Sequence, residues 1–284
     1  MAGTSMFLQA YSREVATHGL TENLQPLVPK AAPYDEPLES EDIITFKFLC
    51  GILIWLDVLA SITTGKTPRL LPLHDVAILP DSPLRLEKII GCSNWAVVQI
   101  GRIAALHEYK IRGLADGTIT PQDLLDKATE IRVAIDERST SDCMAALGLT
   151  QVYVPAVYNP LLVTRLFART AQAYLQIVMW GYKPDSQCLA ETVRDTMYIF
   201  REHVPRELMP ALIFPLYIFG CVARKEDEDF FRDILSTAPV LDPAMEHRAQ
   251  LLPIMEAVWA RREERVDGWS WQDLLLSGNN LLLV

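Results

Sequence analysis

The chain has 284 residues, half of them hydrophobic and 22% charged, a composition that excludes a disordered polypeptide and is ample for a large buried core. Acids outnumber bases by 36 to 26, for a formal net charge of −10. So acidic a balance argues against the chain gripping nucleic acid by itself, because neutralising phosphates takes clustered Lys and Arg.

The first forty residues are punctuated by Pro26, Pro29, Pro33 and Pro37 and read as an arm over the surface (residues 1–39). They show no basic stretch followed by an apolar core, so no secretory signal is read. Helical periodicity then dominates. A first helix is expected from about Ser40 to Thr63, with Asp42 in its first turn and Gly65 and Pro68 after its end. Its apolar run, Ile43 to Ile62, contains Lys47 and Asp57 and is expected to be a buried core helix, with no membrane span. Leu70 to Pro80 reads as a loop. A second long helix is expected from Asp81-Ser82-Pro83 to Lys110, with Leu86, Ile89, Ile90, Val97, Ile100, Ile103 and Leu106 on its apolar face.

Thr120-Pro121 opens a surface helix to about Arg138, and Asn159-Pro160 opens another that reaches Trp180. Short extended pieces are expected around Val152 to Val157. A helix from Ser186 to His203 follows, broken by Val204-Pro205. Met209 to Ala223 is almost wholly apolar and, with Pro215 inside it, is expected to be a kinked, buried helix. Phe230-Phe231 marks a short amphipathic helix. Asp242-Pro243 opens a last one to about Arg265, with a kink expected at Pro253. The expected architecture is all-α: one large domain, residues 40–284, of about eight or more helices.

Standard chemical motifs are missing. There is no Gly-rich phosphate loop, and His107-Glu108 lacks the second His of a zinc-protease helix. Gly91-Cys92-Ser93-Asn94-Trp95 has Trp where a nucleophile elbow has its second Gly. The five cysteines, at 50, 92, 143, 188 and 221, have no metal-binding or redox spacing and suit reduced, mostly buried thiols of an intracellular protein. No metal or cofactor is expected. What remain are polar and aromatic residues on apolar helices. His107, Asp57, Asn94, Tyr198 and His203 are the candidates to donate or accept hydrogen bonds. Trp95, Gln172, Gln176, Trp180, Tyr217 and Trp259 are the candidates to shape a substrate-binding wall.

Trp55-Leu56-Asp57-Val58-Leu59 followed by Thr64-Gly65-Lys66-Thr67-Pro68 resembles a pattern of fungal-specific transcription factor domains. So do Gly91-Cys92-Ser93-Asn94-Trp95 with Leu106 to Lys110, and Phe214-Pro215-Leu216-Tyr217-Ile218-Phe219-Gly220-Cys221. Val258-Trp259, Trp269 and Leu282-Leu283-Val284 fit the same order. The resemblance implies an all-α regulatory domain. In that family it follows a six-cysteine zinc cluster that reads DNA, and the cysteines here do not supply one. The departure favours a stand-alone pocket protein: a cofactor-independent cyclase or isomerase that folds a hydrophobic secondary-metabolite intermediate, acting in the cytoplasm. The alternative is a ligand-sensing regulator or co-regulator that needs a DNA-binding partner and works in the nucleus. A fragment of a longer chain is a third case, which the Met1 start disfavours. The expected partner is a small hydrophobic molecule, with no direct nucleic-acid contact, and self-association is left open.

Overall fold

Asp57 lies in helix α1 (Ser40–Thr64), and its carboxylate accepts the backbone N–H groups of Arg69 and Leu70 at 3.1 and 2.8 Å. Those are N–H groups that a helix start leaves unpaired, and helix α2 (Leu71–Ala77) begins right after them. This corrects the loop expected at Leu70 to Pro80. Pro72 sits in the first turn, where a missing N–H costs nothing, and the capping group comes from another helix. The computed structural model describes residues 40–77, 82, 84–148, 155–181 and 186–263. The proline-punctuated arm at 1–39, Asp81 and Pro83, Val152 to Val154, Trp269, Trp271 and the apolar end at 281–284 lie outside them.

Nine α-helices and no strand occur among the described residues, as the all-α expectation has it. The single helix expected from Asp81 to Lys110 is instead a 3₁₀ turn (Leu86–Lys88), a break, and helix α3 (Asn94–Asp116). The break has a local cause. Gly91 holds φ at +75°, which favours glycine, and Asn94 is spent on the preceding turn. Its Oδ1 accepts Leu86 N–H at 2.9 Å, and its Nδ2 donates to the Leu84 carbonyl at 2.6 Å.

Helix α4 (Pro121–Gly148) runs on past the expected end at Arg138, and α5 (Pro155–Trp180) starts before Asn159. Residues 155–157 are therefore helical, not extended. Helix α6 (Gln187–Glu202) is capped by the Ser186 hydroxyl, which accepts Leu189 N–H at 3.4 Å. The apolar run after it divides into a 3₁₀ segment (Arg206–Leu212), which absorbs Pro210, and α7 (Ile213–Val222), whose Pro215 falls in the first turn. The kinked helix expected there is thus two elements. Helix α8 (Glu228–Leu235) and α9 (Leu251–Glu263) complete the set. Pro253 also lies in a first turn, so no kink is required at that position.

Helices α3 and α5 are the hubs. Helices α1, α2, α4 and α5 pack on α3, while α4, α6 and α7 pack on α5, with α9 against α7. Trp55 of α1, Phe167 of α5 and Phe214 of α7 meet with ring centroids 5.5–6.0 Å apart and join three layers at one point. Burying an aromatic or branched side chain in such a core contributes roughly 1.5–3 kcal/mol. Helix α1 is divided along its length. Ile54, Val58, Leu59 and Ile62 are in the core, while Ile44, Phe48 and Leu49 are exposed. By length and composition alone Glu41–Thr64 is apolar enough to cross a membrane, but its second half belongs to this core.

Candidate functional site

Three of the expected wall residues, Gln172, Gln176 and Trp180, recur every fourth residue on α5 and so share one face of it. Opposite them, α4 turns Leu125, Ala128, Arg132 and Asp136 the same way, and α6 adds Thr192. Together they line a half-open cleft of about 350 Å³. Its floor is apolar, with Ala128 and Leu175 buried and Met179 half-buried. Its rim is polar apart from Leu125 and Trp180, which is 65% exposed.

Asp136 Oδ1 accepts Gln172 Nε2–H at 3.0 Å, and its Oδ2 lies 3.7 Å from Arg132 Nη1. Gln176 Nε2 donates to Cys188 Sγ at 3.6 Å. Among the described residues, the amide oxygens of Gln172 and Gln176 accept nothing, and the Trp180 indole N–H donates to nothing. At the end of α5, Lys110 Nζ donates to the carbonyls of Val178 and Met179 at 2.6 and 2.9 Å, and burial lowers its pKa. The cleft thus offers an apolar slot bordered by spare donors and acceptors, an arrangement suited to holding a ligand.

The other expected residues are not gathered there. Asp57 caps α2, and Asn94 clips the turn before α3. Trp95 donates to Asp142 Oδ2 at 3.2 Å. His107 is buried on α3, its Nδ1 without a partner among the described residues. Burial, then Lys110, lowers its pKa. Tyr198 and His203 do meet, edge to face with centroids 5.7 Å apart, but both are exposed on α6 and its end. Tyr217 and Trp259 sit inside the core. Tyr217 bonds to the Cys221 thiol, and Trp259 Nε1 donates to the Gly220 carbonyl at 2.8 Å.

The three buried cysteines offer no activated nucleophile. Burial pushes the Cys50 thiol up to about 11 and raises those of Cys92 and Cys221. No group of three or more His, Cys, Asp or Glu suited to a metal ion occurs among the described residues. Arg132 and Asp136, which complete the cleft, were not among the expected residues. The charged side of α4 was legible in its sequence, but not that it faces the glutamines of α5.

The family model for the fungal specific transcription factor domain matches residues 16–284. Pestheic acid cluster transcriptional regulator 3 of Pestalotiopsis fici is 31% identical over 259 residues, covering 88% of this chain and 45% of that protein. Trichothecene biosynthesis transcription regulator TRI10 of Trichoderma arundinaceum is 25% identical, covering 82% and 52%. Transcription factor dibT of Pestalotiopsis microspora is 25% identical, covering 98% and 49%. The chain spans about half the length of these relatives. No solved structure matches. These findings overturn the expectation of a cofactor-independent cyclase or isomerase, since the matched proteins are transcription regulators and factors. The geometry agrees: the five residues expected to carry chemistry do not converge on one site, Tyr198 and His203 meeting on the exposed surface while Asp57 and Asn94 are consumed by backbone groups.

Proposed function

Since the chain belongs to the fungal-specific transcription factor domain family, we propose that it is the helical regulatory part of a transcription regulator controlling secondary-metabolite biosynthesis genes. The match of the family over residues 16–284 carries this reading, and the printed names of the relatives, a pestheic acid cluster regulator and trichothecene regulators among them, support it. Residues 40–284 act as one regulatory unit in the nucleus, not in the cytoplasm. DNA is read by a module beyond these 284 residues, on the same polypeptide or on a partner. The net charge of −10 and the cysteine spacing support that division of labour.

Deleting the gene in its host and measuring transcripts of the neighbouring biosynthetic genes tests the proposal. Their transcripts are expected to change together, to recover when the gene is restored, and a fluorescent fusion is expected to collect in the nucleus. Biosynthetic transcripts that stay unchanged on deletion overturn it.

A further inference from the structure

We infer that the cleft between α4, α5 and α6 is a binding site for an uncharged, planar, hydroxylated aromatic molecule of two or three fused rings. Four observations fix that class. A volume of about 350 Å³ lies at the small end of ligand pockets, which run roughly from 300 to 1,000 Å³, and matches a molecule of two or three fused rings. The Trp180 indole, 65% exposed, lines the cleft together with the apolar Leu175 and Met179, an aromatic and aliphatic surface on which a flat ring can stack.

The rim charges cancel. Arg132 and Asp136 stand 3.7 Å apart, so the rim carries no net charge with which to draw in an anion or a cation, and a neutral ligand loses nothing by comparison. The unspent hydrogen-bonding groups are of both kinds. The Gln172 and Gln176 amide oxygens are set to accept from a hydroxyl, and Arg132 and the Trp180 N–H are set to donate to a carbonyl. A phenolic ketone or lactone satisfies both sides. Burying such a molecule satisfies groups that the protein alone leaves to water. The assignment rests on the cleft and not on the regulatory reading.

The test uses the whole chain labelled with 5-fluorotryptophan. Its six tryptophans report by fluorine NMR, the Trp180 signal being assigned by its loss in Trp180→Phe. The probe is 7-hydroxycoumarin, which carries a ring hydroxyl and a lactone carbonyl. Titration is expected to move the Trp180 signal saturably and to leave the Trp95 and Trp259 signals in place. Gln172→Leu is expected to weaken binding about fivefold, as loss of one hydrogen bond does. Thr192→Phe, which fills the slot from α6, is expected to abolish binding while the other tryptophan signals show the fold intact. Naphthalene and naphthalene-2-carboxylate are expected to bind more weakly than the coumarin. The inference is overturned if the coumarin moves no signal, moves a different tryptophan, binds Thr192→Phe equally well, or is outcompeted by the carboxylate.

Discussion

Two arginine–carboxylate pairs in this molecule have the same chemistry and opposite surroundings. At the corner of α7, α8 and α9, Arg262 bonds both Glu228 and the Ala223 carbonyl, and Glu228 also accepts Arg232 Nη2–H at 2.9 Å. Arg232 continues to Asp229 and Glu256, and its guanidinium lies 4.8 Å from the centre of the Trp259 ring. In the cleft, Arg132 and Asp136 stand 3.7 Å apart with most of their bonding capacity unspent. The corner shows polar residues consumed by one another and by backbone, so they fix the fold. The cleft shows polar residues left over, so they are available to something else. Exposure separates the two: the Glu228 and Arg262 side chains are 6% and 10% exposed, those of Arg132 and Asp136 60% and 47%.

The corner is the place to break first. Glu228→Ala removes the carboxylate and leaves Arg262 buried with only the Ala223 carbonyl. Truncating one partner of a buried pair costs about 3–5 kcal/mol, because the remaining charge is stranded away from water. Urea unfolding is expected to show a loss of that size. Glu228→Gln, which keeps an acceptor oxygen in place, is expected to lose less. Equal losses would show that the corner owes its strength to the charge alone and not to packing or to the acceptor oxygen.

His74 separates burial from pairing. It lies on α2, fully buried against Gly101 of α3, and neither ring nitrogen has a partner among the described residues. Burial is the main cause that lowers its pKa to about 4. Asp75 pulls the other way and Arg102 adds to the lowering. The folded pKa is thus below the ordinary value of about 6.5, and the unfolded chain binds the proton first as pH falls. The stability contribution is complete above pH ~6.5 and is lost as pH falls through about 4, for a total of roughly 3 kcal/mol. Denaturation curves between pH 7 and 4 are expected to show a fall in stability for the natural chain that His74→Leu reduces, the remainder including His107, whose pKa burial also lowers. An undiminished fall in the variant would place the titration on other groups.

How far the sequence could be read follows from the same distinction. Periodicity marked the apolar face of α3, where Val97, Ile100, Ile103 and Leu106 are buried, because local spacing decides which side of a helix can be buried. The Ser186 start of α6 was legible for the same reason, since its capping bond spans three residues. What could not be read was set by distant partners. Asp57 starts α2 from the preceding helix, and the junction before α3 is held partly by Ser93 N–H donating to Thr164 on α5 at 2.9 Å. In the cleft, the α5 glutamines stood out as polar residues in an apolar helix. Arg132 and Asp136 looked like any solvated i,i+4 pair, and only the packing of α4 on α5 turns them toward Gln172.

The smallest expected effect is therefore the most informative about the cleft. Arg132→Ala removes a guanidinium whose ion pair is long and solvent-exposed, and such pairs contribute about 0–1 kcal/mol. Gln172 remains bonded to Asp136 in the variant, so nothing is left buried and unpaired. Urea unfolding is expected to place the variant within about 0.5 kcal/mol of the natural chain. A loss approaching that of Glu228→Ala would mean that the cleft arginine is structural after all, and the contrast between the two pairs would collapse. A near-zero loss leaves Arg132 a residue the fold does not need, in a cleft whose neighbouring amides have bonds to spare.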